Sequence, residues 1–435
     1  MICIVGDIYN DVTLKSSEHP LKMRLGGIVH AARGLYALGV EYSIAYFAPS
    51  YLDIHIDKYM HEIGCKNVIK LGNVKNSPNT LLIYDVQEVG NQDYEFLLRE
   101  DIDLEYINAN LPLIGEYDKL LLFSGKYDIR RIIANAKTDM LYLDITNDVS
   151  CVEDLVGLSF KVLFVSTSST LFQTTYRDFE SFKHLLEPLC VAFVLKENRG
   201  GSRTYDSKSG KTIHTPSQTC PIVHSVGVGD VFDSVVTYFD ENKPIEENLI
   251  NASFVAAEYA QTTFIDDFKQ NVGHYLSLSL DKKKNIGIVL PWEYRKCIHV
   301  YIAAPDFDYV DTRYINYICD ALSYHNFTPH RPIKENGQMS SSPSKTEKKR
   351  LFLADMSLID KCQIMIAILL YNDPGTLIEI GVAAQRKMPV LVYDPYGIAK
   401  NCMLTELPNV VTGSADVILS DLFKYSSEKY ANSIK

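Results

Sequence analysis

Two carboxylates flank a Pro-Gly-Thr turn near the end of the chain, in the stretch DPGTLIEIG at 373–381. A carboxylate can attack a carbon that acquires positive character, such as an anomeric carbon that is losing its base. A second carboxylate can then donate a proton to the departing base. In this interpretation Glu379 is the nucleophile, kept ionised by the dipole of the helix that it opens, and Asp373 is the proton donor.

The same stretch also fits a purely structural interpretation. Thr376 and Glu379 have the spacing of a capping box, in which the Thr hydroxyl and the Glu carboxylate satisfy each other's backbone N–H groups. Asp373 would then be a turn residue, and Pro374 and Gly375 would only shape the turn. A Glu379 carboxylate folded back onto Thr376 is not free to attack, so the two interpretations exclude each other.

A second candidate centre is GVGD at 227–230, two glycines directly before an amphipathic helix. The backbone N–H groups of Gly227, Val228 and Gly229 would point outward at the positive end of the helix dipole, which favours a phosphoryl oxygen. Asp230 could accept a proton from an attacking sugar hydroxyl. The structural alternative is that Asp230 is an ordinary N-cap and the glycines merely make the turn.

Short apolar runs that alternate with helix-period segments must position these groups. Continuous apolar strands of this kind are typical of a mostly parallel sheet that is covered by helices on both faces, and hence of the α/β class. The runs that carry this prediction in the first part of the chain are ICIVG (2–6), KLLLFSG (119–125), MLYLDI (140–145), KVLFVS (161–166) and VAFVLK (191–196).

The pattern then restarts, which predicts a second domain. IHVYIAAP (298–305) is expected to be a new first strand, with a helix over 311–325 and later strands at 362–371 and 388–395. The intervening stretch 281–297 mixes a run of charges, a Pro and the only Trp. We therefore predict domains at 1–290 and 297–435, and a mobile loop at 335–350 over the second site.

Composition excludes several functional classes. The formal net charge of −11 argues against a nucleic-acid surface, and the nine dispersed cysteines, with no C-x-x-C pair, favour reduced thiols over a disulfide framework or metal site. The N-terminus becomes polar within a few residues, unlike a signal peptide. The longest apolar run, 364–371, is too short to span a bilayer. These features predict a cytoplasmic protein with no membrane partner.

The first domain resembles the ribokinase-like (PfkB) carbohydrate kinase family. The matching elements are GDIYND (6–11), the Gly26–Gly27 pair before HAARGLYALG, LDITND (143–148) and GVGD. The resemblance implies a three-layer ribokinase-like fold in which Asp11, Gly26 and Gly27 hold sugar hydroxyls. It also implies Asp230 as the catalytic base beside the anion hole, and ATP and Mg²⁺ as cofactors of an active kinase.

The first domain also departs from that family in three places. The Asn expected after the glycine pair is absent, and His30 or Ala31 stands there. The acid of an N-x-x-E motif is missing at STSS (166–169), and the nucleotide-side glycine motif is altered at KENRGGS (196–202). Because that acid helps to organise Mg²⁺, two alternatives stay open: an active kinase, or a domain that only binds a nucleoside, sugar or nucleotide.

The second domain resembles the nucleoside 2-deoxyribosyltransferase family, on VYIAAPDF (300–307), DPGTLIEIG and the element NCM (401–403). The resemblance implies a smaller flavodoxin- or Rossmann-like parallel sheet that needs no cofactor. It implies that Glu379 attacks C1′ of a nucleoside. It also implies that Tyr301 orients the nucleophile and that Asp373 and Asp355 protonate the base. Gly375 and Thr376 would bind the substrate. Asn401 and Met403 would contact the sugar's 5′ end across a subunit interface.

The two resemblances together predict a fusion that acts on nucleoside or nucleotide compounds and forms a homo-oligomer. The second domain would break N-glycosidic bonds, with either a second base or water as the acceptor. A different class of function is a regulated effector in defence or toxicity, in which the first domain senses a ligand and the second hydrolyses nucleotides or NAD. A third option is a first domain that only oligomerises the enzyme.

Overall fold

The protein is described by a computed structural model over residues 1–15, 20–91, 94–100, 102–241, 243–284 and 286–434. The chain forms two compact units. Unit 1 comprises residues 1–87 and 92–289, and unit 2 comprises residues 88–91 and 290–435.

Unit 1 contains fourteen strands among its described residues. In chain order they are β1 Ile2–Asp7, β2 Asn10–Thr13, β3 Lys22–Leu25, β4 Tyr42–Ala48, β5 Val68–Lys75, β6 Thr80–Ile83, β7 Tyr94–Leu97, β8 Asp103–Tyr106, β9 Lys119–Phe123, β10 Leu141–Ile145, β11 Phe160–Ser166, β12 Cys190–Lys196, β13 Ser202–Asp206 and β14 Lys211–Thr215.

The α-helices of unit 1 occupy the connections between these strands and the end of the unit. They are α1 Val29–Leu38, α2 Asp53–Glu62, α3 Ile129–Ile133, α4 Thr170–Thr175, α5 Phe179–Leu186, α6 Val228–Phe239, α7 Ile245–Gln261, α8 Ile265–Leu276 and α9 Leu280–Lys284. Short 3₁₀ segments lie at Ser50–Leu52, Leu111–Glu116, Val152–Leu155, Glu187–Leu189 and Asn198–Gly200.

Ten strands of unit 1 form one sheet in the order β14-β13-β12-β11-β10-β9-β1-β4-β5-β8. The strands from β12 to β5 pair in parallel, whereas β13, β14 and β8 pair antiparallel at the two edges. The other four strands form a small separate sheet in the order β3-β2-β6-β7. All residues of β1 and β4 are buried, as expected when helices cover both faces of a parallel sheet.

Helices α1, α6 and α7 pack on one face of the large sheet around a core that includes Leu35, Val231 and Leu249. On the opposite face Phe193 of β12 contacts the aromatic rings of Phe179 and Phe182 on α5. The sheet therefore lies between two helical layers. This arrangement confirms the three-layer α/β architecture that the apolar runs predict.

Unit 2 is a smaller α/β unit. Its strands are β15 His299–Ala303, β16 Thr328–His330, β17 Ile364–Ile368, β18 Val390–Tyr393 and β19 Val410–Thr412. Its helices are α10 Trp292–Arg295, α11 Arg313–Tyr324, α12 Pro332–Asn336, α13 Lys345–Lys361, α14 Pro374–Gln385, α15 Cys402–Glu406 and α16 Ala415–Ser433.

The sheet of unit 2 is parallel throughout, in the order β16-β15-β17-β18-β19. Numbered from its own first strand this order is 2-1-3-4-5, so the predicted flavodoxin-like arrangement is confirmed. Ligands of such sheets bind beyond the carboxyl ends of the strands where the strand order reverses, which here is the edge shared by β15 and β17. Helices α13 and α14 cover the face that carries Tyr301.

The predicted mobile loop at 335–350 is wrong in part. Helix α12 extends to Asn336 and α13 begins at Lys345, so only the residues between them are non-helical. Ser344 caps α13, since its hydroxyl accepts the N–H of Glu347 at 3.1 Å. Glu347 also accepts hydrogen bonds from Ser340 N and Oγ at 2.9 Å each, so the connection is tied to the helix.

No helix among the described residues is long and apolar enough to cross a membrane.

Candidate functional site

The turn after β17 is organised by Asp373, which is the N-cap of α14. Its Oδ2 accepts hydrogen bonds from Thr376 N at 2.7 Å and from Thr376 Oγ1 at 2.9 Å. Pro374 occupies the first helical position, where its missing N–H costs nothing. At Gly375 an added Cβ would lie 3.0 Å from Asp373 Oδ2, so a larger residue would press on the cap.

The capping-box interpretation of Thr376 and Glu379 is wrong, because the Thr376 N–H donates to Asp373. Glu379 is the sixth residue of α14, and no acid lies in that helix's first turn. The expectation that the helix dipole keeps Glu379 ionised is therefore also wrong, since the effect fades beyond the first turn. Instead Glu379 Oε1 accepts a hydrogen bond of 2.7 Å from Tyr301 Oη on β15.

The surroundings of Glu379 oppose its ionisation. Burial raises its pKa to about 7, and the charges of Asp355 and Asp373 act in the same direction, whereas the Tyr301 hydrogen bond lowers it. Tyr301 is fully buried, and burial together with the Glu379 charge raises its pKa, so it stays a phenol that donates. Near neutral pH Glu379 can thus exist in both protonation states.

Asp355 lies on α13, within electrostatic reach of the Tyr301–Glu379 pair. Its Oδ1 accepts a hydrogen bond from Asn336 Nδ2 at 2.8 Å. Burial raises the pKa of Asp355, and the Asn336 hydrogen bond lowers it. The structure therefore brings Tyr301, Glu379, Asp355 and Asp373 into one electrostatic neighbourhood.

Asn401 and Met403 lie on a different element. Asn401 caps α15, since its Oδ1 accepts the N–H of Met403 at 2.9 Å. The Met403 side chain is 66% exposed. Among the described residues no hydrogen bond joins either residue to Glu379 or Tyr301.

A clamp on the turn after β15 was not identified from the sequence. Arg331 donates two hydrogen bonds to Asp306, from Nε to Oδ2 at 2.8 Å and from Nη2 to Oδ1 at 2.7 Å. This bidentate pair holds the turn that also carries Phe307 and Tyr309, whose rings stack with centroids 5.3 Å apart. Asp306 and Phe307 lie inside the VYIAAPDF motif, but nothing in that motif indicates Arg331 as their partner.

The second candidate centre, in unit 1, begins at Gly227, which is the N-cap of α6 with φ of 83°. Asp230 is the third residue of that helix and makes no capping hydrogen bond, so the interpretation of Asp230 as an ordinary N-cap is wrong. Gly227 also has no room for a side chain, because an added Cβ would lie 2.1 Å from the ring of His30. Val228 and Gly229 follow as the first two helical residues.

The glycine pair is packed against Asp11. An added Cβ at Gly26 would lie 2.0 Å from Asp11 Oδ1, and one at Gly27, with φ of 60°, would lie 2.1 Å from Asp7 O. Burial raises the pKa of Asp11 to about 6, against the lowering effect of Arg24 and Arg33. Asp11 Oδ1 is buried and has no hydrogen-bond partner among the described residues.

His30 occupies the region where the resemblance implies an Asn. Its Nδ1 lies 3.2 Å from Arg33 Nη1, and arginine only donates, so Nδ1 is the acceptor. The ring proton therefore sits on Nε2, which donates to Asp11 Oδ2 at 2.9 Å. Tyr259 Oη also lies 2.7 Å from Nδ1. Burial lowers the pKa of His30 well below its usual value, which keeps the ring neutral.

A buried cation lies beside the predicted anion hole. Lys196 Nζ donates to Asp144 Oδ1 at 3.1 Å and to Asp233 Oδ2 at 2.7 Å. The space that a Gly229 Cβ would occupy is 3.3 Å from the same ammonium. Burial raises the pKa of Asp230 to about 7, Asp144 and Asp11 raise it further, and Lys196 lowers it.

This arrangement does not fit a Mg²⁺ ion. Asp144 and Asp233 already bind the Lys196 ammonium. Against the lowering effect of burial, their charges raise the pKa of Lys196. A hard divalent cation at these carboxylates would have to share them with the Lys196 ammonium, whose positive charge opposes its binding. Lys196 begins the KENRGGS stretch, where the glycine motif of the family is altered. The sequence shows this alteration, but it does not show that Lys196 binds Asp144 and Asp233.

Comparison with known proteins gives a different result for each unit. Residues 300–405 match the family model described as nucleoside 2-deoxyribosyltransferase. That range contains Tyr301, Asp355, Asp373, Glu379 and Asn401. No curated protein matches the chain significantly.

The N-terminal region is similar to solved carbohydrate kinase structures. Ribokinase from Thermotoga maritima is 15% identical, covers 64% of this chain and 99% of its own, and has a TM-score of 0.45. Phosphofructokinase-2 from Escherichia coli in complex with fructose-6-phosphate is 14% identical, with coverages of 64% and 100% and a TM-score of 0.47. Ribokinase from Arabidopsis thaliana complexed with ribose and ATP is 16% identical. The match covers 64% of this chain and 99% of that ribokinase, with a TM-score of 0.46.

Proposed function

We propose that unit 2 cleaves the N-glycosidic bond of a nucleoside or nucleotide through a covalent glycosyl–Glu379 intermediate. The observation that carries the proposal is the 2.7 Å hydrogen bond from Tyr301 Oη to Glu379 Oε1. It fixes one carboxylate oxygen and leaves the other for attack, at the edge of the sheet where ligands of this fold bind. The family match over residues 300–405 supports the same chemistry.

In the first step the ionised Glu379 carboxylate forms a bond from Oε2 to C1′ of the sugar. The bond from C1′ to the base nitrogen breaks, and its electron pair leaves with the base. A proton must reach the base as it departs, and we assign this transfer to Asp373, with Asp355 as the second candidate. Burial raises the pKa of Asp355, which favours a protonated carboxyl that can donate.

In the second step an acceptor attacks C1′ and releases the Glu379 carboxylate. A second base gives transfer of the sugar, and water gives hydrolysis, with the displaced proton returned to the acid. Gly375 and Thr376 form the turn beside the reacting groups, where we assign them to substrate binding. We assign Asn401 and Met403 to contacts with the 5′ end of a sugar that is bound in the site of a neighbouring subunit.

Unit 1 is proposed to bind a sugar or nucleoside through Asp11 and the Gly26–Gly27 turn. The unpartnered buried Oδ1 of Asp11 is an acceptor that a ligand hydroxyl could satisfy. We propose no phosphoryl transfer by unit 1, because the Lys196 ammonium beside Asp230 opposes the binding of Mg²⁺. Incubation with ATP and ribose is the test, since phosphorylation that Asp230→Asn abolishes would restore Asp230 as a base.

The effector alternative, hydrolysis of nucleotides or NAD, uses the same Glu379 chemistry with water as the acceptor. The Lys196 ammonium beside Asp230, which opposes a Mg²⁺ ion, favours this alternative, because a unit that binds without phosphorylating can act as a sensor. It differs from the leading proposal in allowing water as the only acceptor and in including NAD among the substrates, and one assay can test both points.

The assay incubates the purified chain with deoxynucleosides, nucleotides or NAD, with and without free adenine, and separates the products by chromatography. Exchange that requires the added base indicates a transferase, and free base without an acceptor indicates a hydrolase. Glu379→Ala should reduce turnover by about three or more orders of magnitude, since it removes the group that forms the covalent bond.

Glu428→Ala is the matched control, because it removes a carboxylate of unit 2 on α16 that has no assigned role. It should leave turnover within about twofold of the unaltered chain. Turnover that survives Glu379→Ala would contradict the assignment of the nucleophile.

A further inference from the structure

Unit 1 contains a cavity of about 300 Å³ that the proposed chemistry does not use. Its wall includes three cationic side chains, Lys22 and Arg24 of β3 and Arg33 of α1, together with Tyr59 and Tyr259. The volume is at the lower end of the range for small-molecule sites.

The positive charge in this cavity has no acidic partner on the cavity wall, since none of the described acidic side chains lines it. Arg33 donates to neutral acceptors only, among them Tyr59 Oη at 2.8 Å and Leu25 O at 2.9 Å. Lys22 donates to Thr263 Oγ1. Cations held close together by neutral groups repel one another, and a bound anion would relieve that repulsion.

Arg24 has an unused donor at this wall. Its Nη2 lies 2.9 Å from His224 Nδ1 and donates to Val226 O at 3.2 Å. Its Nε is buried and has no hydrogen-bond partner among the described residues. A buried donor without a partner costs free energy, so a ligand oxygen that accepts from Nε would stabilise the site.

The cavity is distinct from the sugar site predicted around Asp11. Asp11 is influenced by the charges of Arg24 and Arg33, but it is engaged by His30 and does not line the cavity. His30 stands between the two regions, because its Nε2 bonds to Asp11 and its Nδ1 lies 2.7 Å from Tyr259 Oη. A ligand in the cavity would therefore contact the network that sets the position of Asp11.

We propose that this cavity binds a small phosphate monoester, of nucleotide size or smaller, through Lys22 and Arg24. Phosphate oxygens are acceptors with the charge and geometry that a lysine ammonium and an arginine Nε–H recognise. The site is independent of the N-glycosidic activity proposed for unit 2.

Calorimetric titration of the full chain at low ionic strength tests the proposal, with inorganic phosphate, ribose 5-phosphate, AMP and adenosine as the probes. We expect one or more of the phosphorylated probes to bind at a site that depends on Lys22, whereas any binding of adenosine, at the Asp11 site or in unit 2, should not depend on Lys22. Lys22→Gln should weaken phosphate-dependent binding by about tenfold or more, and Lys22→Arg should keep it within about threefold. Turnover in the glycosidic assay should be unchanged by Lys22→Gln.

Lys15→Gln is the matched control, because it makes the same charge change at an exposed residue that does not line the cavity. Equal weakening by Lys15→Gln, or equal weakening of adenosine and AMP binding by Lys22→Gln, would overturn the proposal. If Lys22→Gln does not fold, the site can be tested in crystals of the unaltered chain that are soaked in tungstate, a phosphate analogue. Density beside Lys22 and Arg24 is expected, and tungstate bound only elsewhere would refute the site.

Discussion

Tyr301 and Glu379 are best understood as one chemical unit. The nucleophile must be ionised to attack, yet burial raises the pKa of Glu379 to about 7. The Tyr301 hydrogen bond acts against burial because it stabilises the carboxylate form. Tyr301 would thus do more than orient the carboxylate, since it also sets the pH at which Glu379 becomes reactive.

Tyr301→Phe should therefore change the pH dependence of the reaction. In the unaltered chain kcat/KM should rise with pH through about 7, as Glu379 loses its proton. Without the phenol the pKa of Glu379 rises, so the acid limb should move to higher pH by roughly one unit. The loss of activity should accordingly be larger at pH 6 than at pH 8.5.

Tyr42→Phe provides the comparison for that experiment. Tyr42 is a buried tyrosine of unit 1 whose hydroxyl donates to Ile63 O, so the substitution removes a similar hydrogen bond far from Glu379 in the sequence. Its pH profile should match that of the unaltered chain. A Tyr301→Phe profile that is merely lower at every pH, with the same midpoint, would limit Tyr301 to orientation.

The sequence could identify these residues but not their environments. The motifs around Tyr301 and Glu379 point to a carboxylate nucleophile, yet the source of its electrostatic control was misjudged. The error follows from the helix boundary: α14 begins at Pro374, which moves Glu379 into the second turn. Lys196 was missed for a related reason, because its partners Asp144 and Asp233 are distant in the sequence and meet only through the sheet and α6.

At the scale of elements, Asp373 has two functions that a single substitution would confuse. It caps α14 through two hydrogen bonds from Thr376, and it is also a candidate proton donor six residues before Glu379. A cap stabilises the helix that holds the nucleophile, so its loss could lower activity without any chemical role.

Asp373→Asn and Asp373→Ala separate the two functions. Asparagine caps helices about as well as aspartate, so Asp373→Asn should keep stability while removing the acid. We expect thermal unfolding of Asp373→Asn close to that of the unaltered chain, with turnover reduced by about a hundredfold. Asp373→Ala should in addition lose about 1 kcal/mol of unfolding free energy.

Ser344→Ala is the control for the cap. It removes the N-cap of α13, whose Oγ accepts the Glu347 N–H, so it should cost a similar amount of stability while leaving turnover nearly unchanged. Full turnover in Asp373→Asn would show that Asp373 acts through the helix alone and would leave Asp355 as the proton donor.

The elements themselves were largely predictable from the apolar pattern. The long buried strands β1, β10, β11, β12, β15 and β17 fall within or close to the runs of apolar residues that indicate them. The three-residue strands β16 and β19 carry too few apolar positions to be recognised. The stretch at 345–350 predicts a loop because it contains no apolar residue, although Ser344 and Glu347 form a helix start of the capping-box type.

At the scale of the whole molecule, the least expected feature is that unit 2 is formed by two separate segments of the chain. Residues 88–91 belong to it although they lie within the sequence of unit 1. Tyr324 of α11 donates to Glu88 Oε1 at 2.6 Å, a contact between residues separated by most of unit 1. A pattern-based boundary near 290 cannot anticipate this, because a short polar segment carries no periodicity that assigns it to a core.

Assembly is the remaining question at this scale, and it bears directly on Asn401 and Met403. Within one chain they are not joined to Glu379 by any described hydrogen bond, and Met403 is 66% exposed. A single exposed apolar side chain does not by itself mark an interface, so the placement of Met403 against a second copy rests on the family resemblance. If the assembly is a symmetric dimer, each copy would complete the site of the other.

Mixed assemblies of two inactive variants test this arrangement. Glu379→Ala lacks the nucleophile, and Met403→Arg places a charge where the neighbouring sugar site would be. In a dimer that shares its sites, half of the co-expressed assemblies are mixed, and each of these has one intact site. Activity should therefore recover to about a quarter of the unaltered value, although each variant alone is inactive.

If Met403 instead acts within its own chain, every site in the mixed assemblies keeps one defect and no activity returns. Light scattering on the same samples shows whether the two variants still associate, so failure to assemble is distinguished from assembly without shared sites. Recovery in a sample whose mass equals a single chain would contradict the shared-site explanation, because no neighbouring subunit would be present to supply the missing group.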